Sequence, residues 1–71
     1  GSERSSGRDF IRFLQYAKGS CGELRTQVYI GVDIGYINKD QGSAWIRETR
    51  EISAMLVGFI NSIRKQLTTE G

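Results

Sequence analysis

The sequence predicts an all-α fold, an antiparallel hairpin of two helices that packs with further helices. Apolar residues recur every three or four positions in two long segments, which is the period of a packed helix. The chain has no proline among its 71 residues, and a short glycine-containing turn separates the segments. Each segment carries more apolar surface than one neighbouring helix can cover. The further helices are therefore expected to come from other copies of this chain or from sequence absent here.

The first helix is predicted over residues 8–34. Apolar or small residues form a seam with alternating steps of three and four: Phe10, Leu14, Ala17, Cys21, Leu24, Val28, Gly31 and Gly35. A second stripe lies beside it: Phe13, Ser20, Gln27 and Ile34, widened by Ile11 and Ile30. Residues 1–7 are expected to form a flexible N-terminal segment, of which Gly1 and Ser2 could be an expression scar.

Two glycines, Gly19 and Gly22, lie inside this helical pattern, and each lowers helix stability by about 1 kcal/mol relative to alanine. A kink, a contact with a ligand, or the close approach of another helix could explain them. The apolar pattern crosses both glycines without losing phase, which favours a continuous helix that packs closely on a neighbour. The helix-packing residues expected here are Gly19, Ser20, Cys21 and Gly22.

The stretch "DIGYINKDQ" predicts a short turn and the start of a second helix over residues 39–67. Gly35 suits the left-handed position after a helix, with Tyr36 and Ile37 packing back on the last turn. Asn38 suits the N-cap of the next helix, and so short a connection makes the helices antiparallel. The second seam is Trp45, Thr49, Ile52, Leu56, Phe59 and Ile63, with Ile46, Ser53, Ile60 and Leu67 beside it. Residues 68–71 are expected to form a flexible tail.

The composition argues against an enzyme and against a bound cofactor or metal. The chain has no histidine to act as a general base or zinc ligand. Its single cysteine, Cys21, lies on the seam, where a thiol is an inert small apolar group. Glu23 and Asp33 lie about 15 Å apart along the helix axis, too far apart for an acid and base pair. The lone cysteine suits the cytoplasm, and the apolar run at residues 54–60 is too short for a bilayer, so no membrane partner is expected.

Three polar residues near the first seam leave two interpretations open. Glu23, Thr26 and Gln27 could form a buried polar network that fixes the register between subunits, as buried polar residues do in coiled coils. Alternatively, Glu23 is simply solvated.

Basic residues gather at one end of the predicted hairpin. The net charge of +2 does not by itself indicate a nucleic-acid-binding protein. Antiparallel helices nevertheless bring five basic residues to the same end: Arg4, Arg8, Arg12, Arg64 and Lys65. Residues 31–50 are neutral overall. In a ring of subunits this excess would repeat around one rim and form a phosphate-binding site. An ordinary solvated surface is the alternative.

The stretches "RDFIRFLQYAKGSCGELRTQVYIG", "GYI" and "EISAMLVGFINSIRK" resemble the four helix bundle protein family. This family includes proteins encoded by intervening sequences of bacterial 23S ribosomal RNA genes. The resemblance implies an up-and-down four-helix bundle that assembles into homopentamers, with the "GS" region in its interior. The hairpin would form half of this bundle, completed by oligomerisation or by missing N-terminal helices. A related branch comprises accessory proteins of diversity-generating retroelements, which bind RNA and a reverse transcriptase. Family members are longer, so the chain is expected to correspond to their C-terminal half.

Two classes of function follow from the residues and the resemblance. The first is a non-enzymatic oligomeric module whose partners are other copies of itself and RNA, DNA or a nucleoprotein such as a reverse transcriptase complex. The second is a homo-oligomeric or protein-interaction scaffold without a nucleic-acid role. Salt dependence distinguishes them, because phosphate binding weakens steeply as the salt concentration rises.

Overall fold

The computed structural model describes the backbone of residues 2–70 and the side chains of residues 6–68. Helix α1 comprises Ser2–Asp33 and helix α2 comprises Lys39–Glu70. They form a hairpin measuring 51 × 15 × 10 Å, and no strand occurs in residues 2–70. The predicted all-α hairpin is confirmed. Its completion to a four-helix bundle remains a prediction.

Helix α1 is continuous through Gly19 and Gly22, so the prediction from the unbroken phase is confirmed. It begins six residues before the predicted start, and α2 extends three residues beyond the predicted end. The residues expected to form flexible ends are therefore helical over 2–7 and 68–70. The two ends lie side by side: a Cβ atom on Gly7 would lie 3.0 Å from Cδ2 of Leu67.

The turn between the helices has the predicted chemistry. Gly35 adopts a φ of 87°, the left-handed region that glycine enters without steric penalty. The backbone N–H of Tyr36 donates to the carbonyl of Gly31 at 2.9 Å, and that of Gly35 to the carbonyl of Val32 at 3.1 Å. These two bonds define a Schellman cap. Ile37 packs back on Gly31 as predicted, whereas Tyr36 is 87% exposed, so that part of the prediction is wrong.

Helix α2 begins with the expected N-cap. The side-chain oxygen of Asn38 accepts a hydrogen bond from the backbone N–H of Gln41 at 2.8 Å. One turn later Gly42 is buried between the helices, and a Cβ atom there would overlap Cγ2 of Val32. The first turn of α2 can therefore lie directly on the last turn of α1.

The contact between the helices overlaps both predicted seams without coinciding with them. The residues buried or half-buried in α1 are Gly7, Ile11, Leu14, Ala17, Cys21, Gly22, Arg25, Val28, Gly31 and Val32. The contact residues in α2 are Gly42, Ile46, Thr49, Ser53, Leu56, Ile60, Ile63 and Leu67. Steps of three and four connect them. In α2 the contact combines Thr49, Leu56 and Ile63 of the predicted seam with the whole predicted second stripe. In α1 it keeps part of the predicted seam and adds Arg25, a contact position that an apolar pattern does not reveal.

One row of large apolar side chains is left without a partner in the hairpin. It consists of Phe10, Phe13, Leu24, Trp45, Ile52, Met55 and Phe59, hereafter the apolar face. Phe13 is 64% exposed and Phe59 is 57% exposed. The rings of Phe10 and Phe13 lie with their centroids 6.5 Å apart. The sequence-based expectation that one hairpin partner leaves a second stripe uncovered is confirmed.

Candidate functional site

Two grooves lie between the helices, one in each half of the hairpin. The first is near the turn and is lined by Val28, Tyr29, Val32, Asp33, Lys39, Gly42, Ser43, Ile46, Arg47 and Arg50. The second is near the chain ends and is lined by Gln15, Lys18, Gly19, Arg25, Val57, Ile60, Asn61 and Arg64. Each groove is lined by both apolar and basic side chains.

The two grooves lie on the same face of the hairpin. In α1, Tyr29 and Asp33 of the first groove follow Gln15 and Gly19 of the second by two heptads. In α2, Arg64 of the second groove follows Arg50 of the first at the same spacing. Residues separated by whole heptads share one side of helices that pack with a 3.5-residue period. We call this side of the hairpin the groove face. It includes the residues that line the two grooves and the residues that occupy the same heptad positions elsewhere in α1 and α2.

Nearly all basic residues of the chain lie on the groove face. The members of this set are Arg8, Arg12, Lys18, Arg25, Lys39, Arg47, Arg50 and Arg64. Asp33 and Asp40 are its two acidic residues, so the face carries a net charge of about +6. The other acidic side chains that the structure describes lie on the apolar face or the outer edges: Asp9, Glu23, Glu48 and Glu51. Most basic side chains therefore lie on the groove face, and most acidic side chains lie on other sides of the hairpin.

Hydrogen bonds hold two of the basic side chains in the groove face. Arg25 donates from Nη1 to Oγ of Ser53 at 3.2 Å, which ties the centres of the two helices together. Arg50 donates from Nη2 to the hydroxyl of Tyr29 at 3.4 Å. In contrast, Arg12 lies 4.0 Å from a carboxylate oxygen of Asp9, and both side chains are largely exposed. Such an exposed pair contributes little stability and leaves the guanidinium accessible.

Three of the five basic residues predicted to lie at one end of the hairpin share the groove face. Arg8, Arg12 and Arg64 belong to the groove face by their heptad positions. Lys65 follows Arg64 by one residue and lies about 100° around α2, on the outer edge. The side chain of Arg4 lies outside the described residues. The phosphate-binding role of this set remains a prediction.

Sequence reasoning missed the basic residues between the two ends, although a signal was available. Arg47 and Arg50 were counted with a neutral half because their acidic neighbours were included in the sum. Grouping charges by heptad position places Glu48 on another side of α2 but keeps Asp33 and Asp40 on the groove face. The half near the turn then contributes a net charge of about +1 to this face, and the half near the chain ends contributes most of the rest.

The residues predicted to pack or to form a network are mostly exposed in the single chain. A Cβ atom on Gly19 would meet nothing within 4 Å, and one on Gly22 would meet only Nη2 of Arg25, at 3.8 Å. Ser20 is exposed, whereas Cys21 is half-buried at the helix contact. Close packing at Gly19 and Gly22 is therefore not a contact of the hairpin, and it stays a prediction for a further subunit.

The predicted polar network is likewise absent from the hairpin. Glu23, Thr26 and Gln27 are all exposed, and the hydroxyl of Thr26 donates to the carbonyl of Gly22 within the same helix. A network between subunits stays a prediction. The polar side chain that is buried instead is Thr49, whose hydroxyl donates to the carbonyl of Ile46 at 2.8 Å.

Neither a membrane-spanning segment nor a metal-binding cluster occurs in the part of the chain that the structure describes. Neither α1 nor α2, as far as the structure describes them, has an apolar stretch long enough to cross a membrane. Among the described residues, no three acidic or cysteine side chains are grouped so that they could hold a metal ion.

A family model described as 23S rRNA-intervening sequence protein matches residues 1–58 of the chain. No curated protein and no solved structure matches the chain significantly.

Proposed function

Because the chain belongs to the 23S rRNA-intervening sequence protein family, we propose that it is a non-enzymatic subunit of an oligomeric helical bundle that binds nucleic acid. The proposed contacts are made to phosphate groups by basic side chains. The proposed partners are other copies of the same chain and, as the larger target, a nucleoprotein complex.

The observation that supports this function is the separation of charge. Eight basic residues and two acidic residues lie on the groove face, although the whole chain has a net charge of only +2. A concentrated positive surface attracts the phosphate backbone in a way that the net charge of the chain does not reveal. Arginine is well suited to this task because its planar guanidinium binds phosphate oxygens in pairs.

The oligomer is supported by the apolar face. Exposed aromatic and aliphatic side chains of this extent are unusual on a soluble monomer. Two hairpins that pack through their apolar faces would make a four-helix bundle and leave both groove faces in solvent. Assembly and nucleic-acid binding would then use different sides of each subunit.

A scaffold without a nucleic-acid role is the second candidate, because the apolar face alone would support it. The two functions are distinguished by binding to a DNA duplex of about 20 base pairs at several salt concentrations. We expect affinity to fall steeply as salt increases, and to fall similarly for unrelated sequences when Arg8, Arg12 and Arg64 are replaced together by glutamine. If the unmodified protein does not bind near physiological salt, the scaffold function is favoured.

A further inference from the structure

We propose that the ligand of the groove face is the phosphate backbone of a nucleic-acid duplex, which lies along the length of the hairpin. This inference rests on the proposed function and specifies its ligand. A duplex in this position would contact both halves of the hairpin, unlike a phosphate-binding rim at one end. The proposed ligand also differs from a single strand bound in a channel.

The basic residues extend over both halves of the groove face. Lys18 and Arg64 line the second groove, and Arg47 and Arg50 line the first. Arg47 and Arg64 lie about 25 Å apart along α2, at about 1.5 Å per residue. A B-form duplex carries about 15 phosphate charges over that length. The positive surface therefore has the shape of a straight track, which matches a rigid duplex.

The groove face has one aromatic side chain, Tyr29, among the residues that the structure describes. Proteins that bind single-stranded nucleic acid stack its bases on aromatic rings. Tyr29 is the aromatic residue in the grooves, and its hydroxyl accepts a hydrogen bond from Arg50. The other aromatic residues whose side chains are described lie on the apolar face, on an outer edge or in the turn: Phe10, Phe13, Tyr16, Tyr36, Trp45 and Phe59. This surface can contact phosphates along its length, but a single exposed ring, Tyr29, cannot stack a run of successive bases.

The two glycines of α1 keep the centre of the groove face open. Gly19 lines the second groove beside Lys18, and the space above it is empty. Gly22 lies one turn further, with only the end of the Arg25 side chain near it. A rigid duplex needs such a flat approach, because a projecting side chain would hold its phosphates away from Lys18 and Arg25. The glycines are thus accounted for by contact with the ligand.

The first test compares a DNA duplex of about 20 base pairs with each of its separated strands, using the unmodified protein. We expect the duplex to bind about tenfold more tightly than either strand at the same salt concentration, and to show the steeper salt dependence. Equal or tighter binding of the strands would overturn this inference while leaving nucleic-acid binding intact. A lack of binding to all three would overturn the proposed function itself.

The second test asks whether the half of the hairpin near the turn contacts the duplex. Replacing Arg47 and Arg50 by glutamine should flatten the plot of log affinity against log salt by about two units for each engaged subunit. The matched control replaces Glu48 and Glu51 by glutamine in the same turn, and it should leave that slope unchanged. An unchanged slope for the arginine variant would overturn contact along the full length.

The third test concerns the open surface at Gly19. Gly19→Leu should weaken duplex binding severalfold, since its side chain would stand in the second groove, while the oligomeric mass stays the same. Gly58→Leu, on the outer edge of α2, is the control and should bind normally. Unchanged affinity of Gly19→Leu would overturn close approach of the duplex at this groove. An altered mass would overturn it too, because the glycine would then pack between subunits.

Discussion

At Gly42 the two helices approach so closely that a Cβ atom would overlap Cγ2 of Val32 and contact Ile37 and Val28. The residue is buried, and its neighbours are branched side chains that have little room to move. Sequence reasoning placed close approach at Gly19 and Gly22 because a glycine in the middle of a long helix stands out. Gly42 lies in the first turn of α2, where a glycine is less unusual than in the middle of a helix.

We predict that Gly42→Ala lowers the free energy of unfolding by about 1–3 kcal/mol, because the added methyl group overpacks the contact with Val32. Gly58→Ala is the matched control: nothing lies within 4 Å of its Cβ position, so alanine should raise stability by about 1 kcal/mol. Denaturant unfolding at one fixed protein concentration measures both. Equal stabilisation by the two changes would contradict the close contact at Gly42.

At the scale of elements, the turn was more predictable than the helix contact. Gly35 and Asn38 act locally, so their residue types identify a helix end and a helix start without reference to the rest of the chain. Which side of each helix faces its partner depends on both helices together. The apolar pattern was broad enough to fit two orientations. It did not reveal Arg25 as a contact residue, although Arg25 donates a hydrogen bond to Ser53 of the predicted second stripe.

The N-cap of α2 gives an element-scale prediction. Asn38→Ala removes the acceptor for the backbone N–H of Gln41 and should lower the free energy of unfolding by about 0.5–2 kcal/mol. Gln66→Ala, at an exposed position within α2, should change stability by much less. Thermal unfolding followed by circular dichroism measures both variants. A loss at Gln66 as large as the loss at Asn38 would show that the cap contributes nothing specific.

At the scale of the whole molecule, the hairpin presents two different surfaces. The sequence indicated an uncovered apolar stripe, because the number of apolar residues exceeds what one partner can bury. It did not indicate the groove face, since summing charges along the chain averages the basic residues with acidic ones on other sides of the same turns. Only the register between the two helices brings the basic residues of α1 and α2 onto one surface.

We predict that the chain sediments as an oligomer held together by the apolar face. Phe13→Gln combined with Phe59→Gln should shift the sedimentation coefficient toward that of the monomer, because both side chains are more than half exposed in the single hairpin. Tyr36→Gln is the control, since Tyr36 is equally aromatic but lies in the turn. A cooperatively folded monomer for the unmodified protein would contradict this account of the apolar face.

The measurement that tests the separation of faces most directly compares two adjacent residues, Arg64 and Lys65. Both changes to glutamine remove one positive charge at the same end of α2, but only Arg64 lines a groove. The salt dependence of binding to a DNA duplex should flatten by about 0.9 units per engaged subunit for Arg64→Gln and hardly change for Lys65→Gln. Equal flattening by the two variants would contradict a defined groove face and indicate diffuse attraction or a rim at the end of the hairpin.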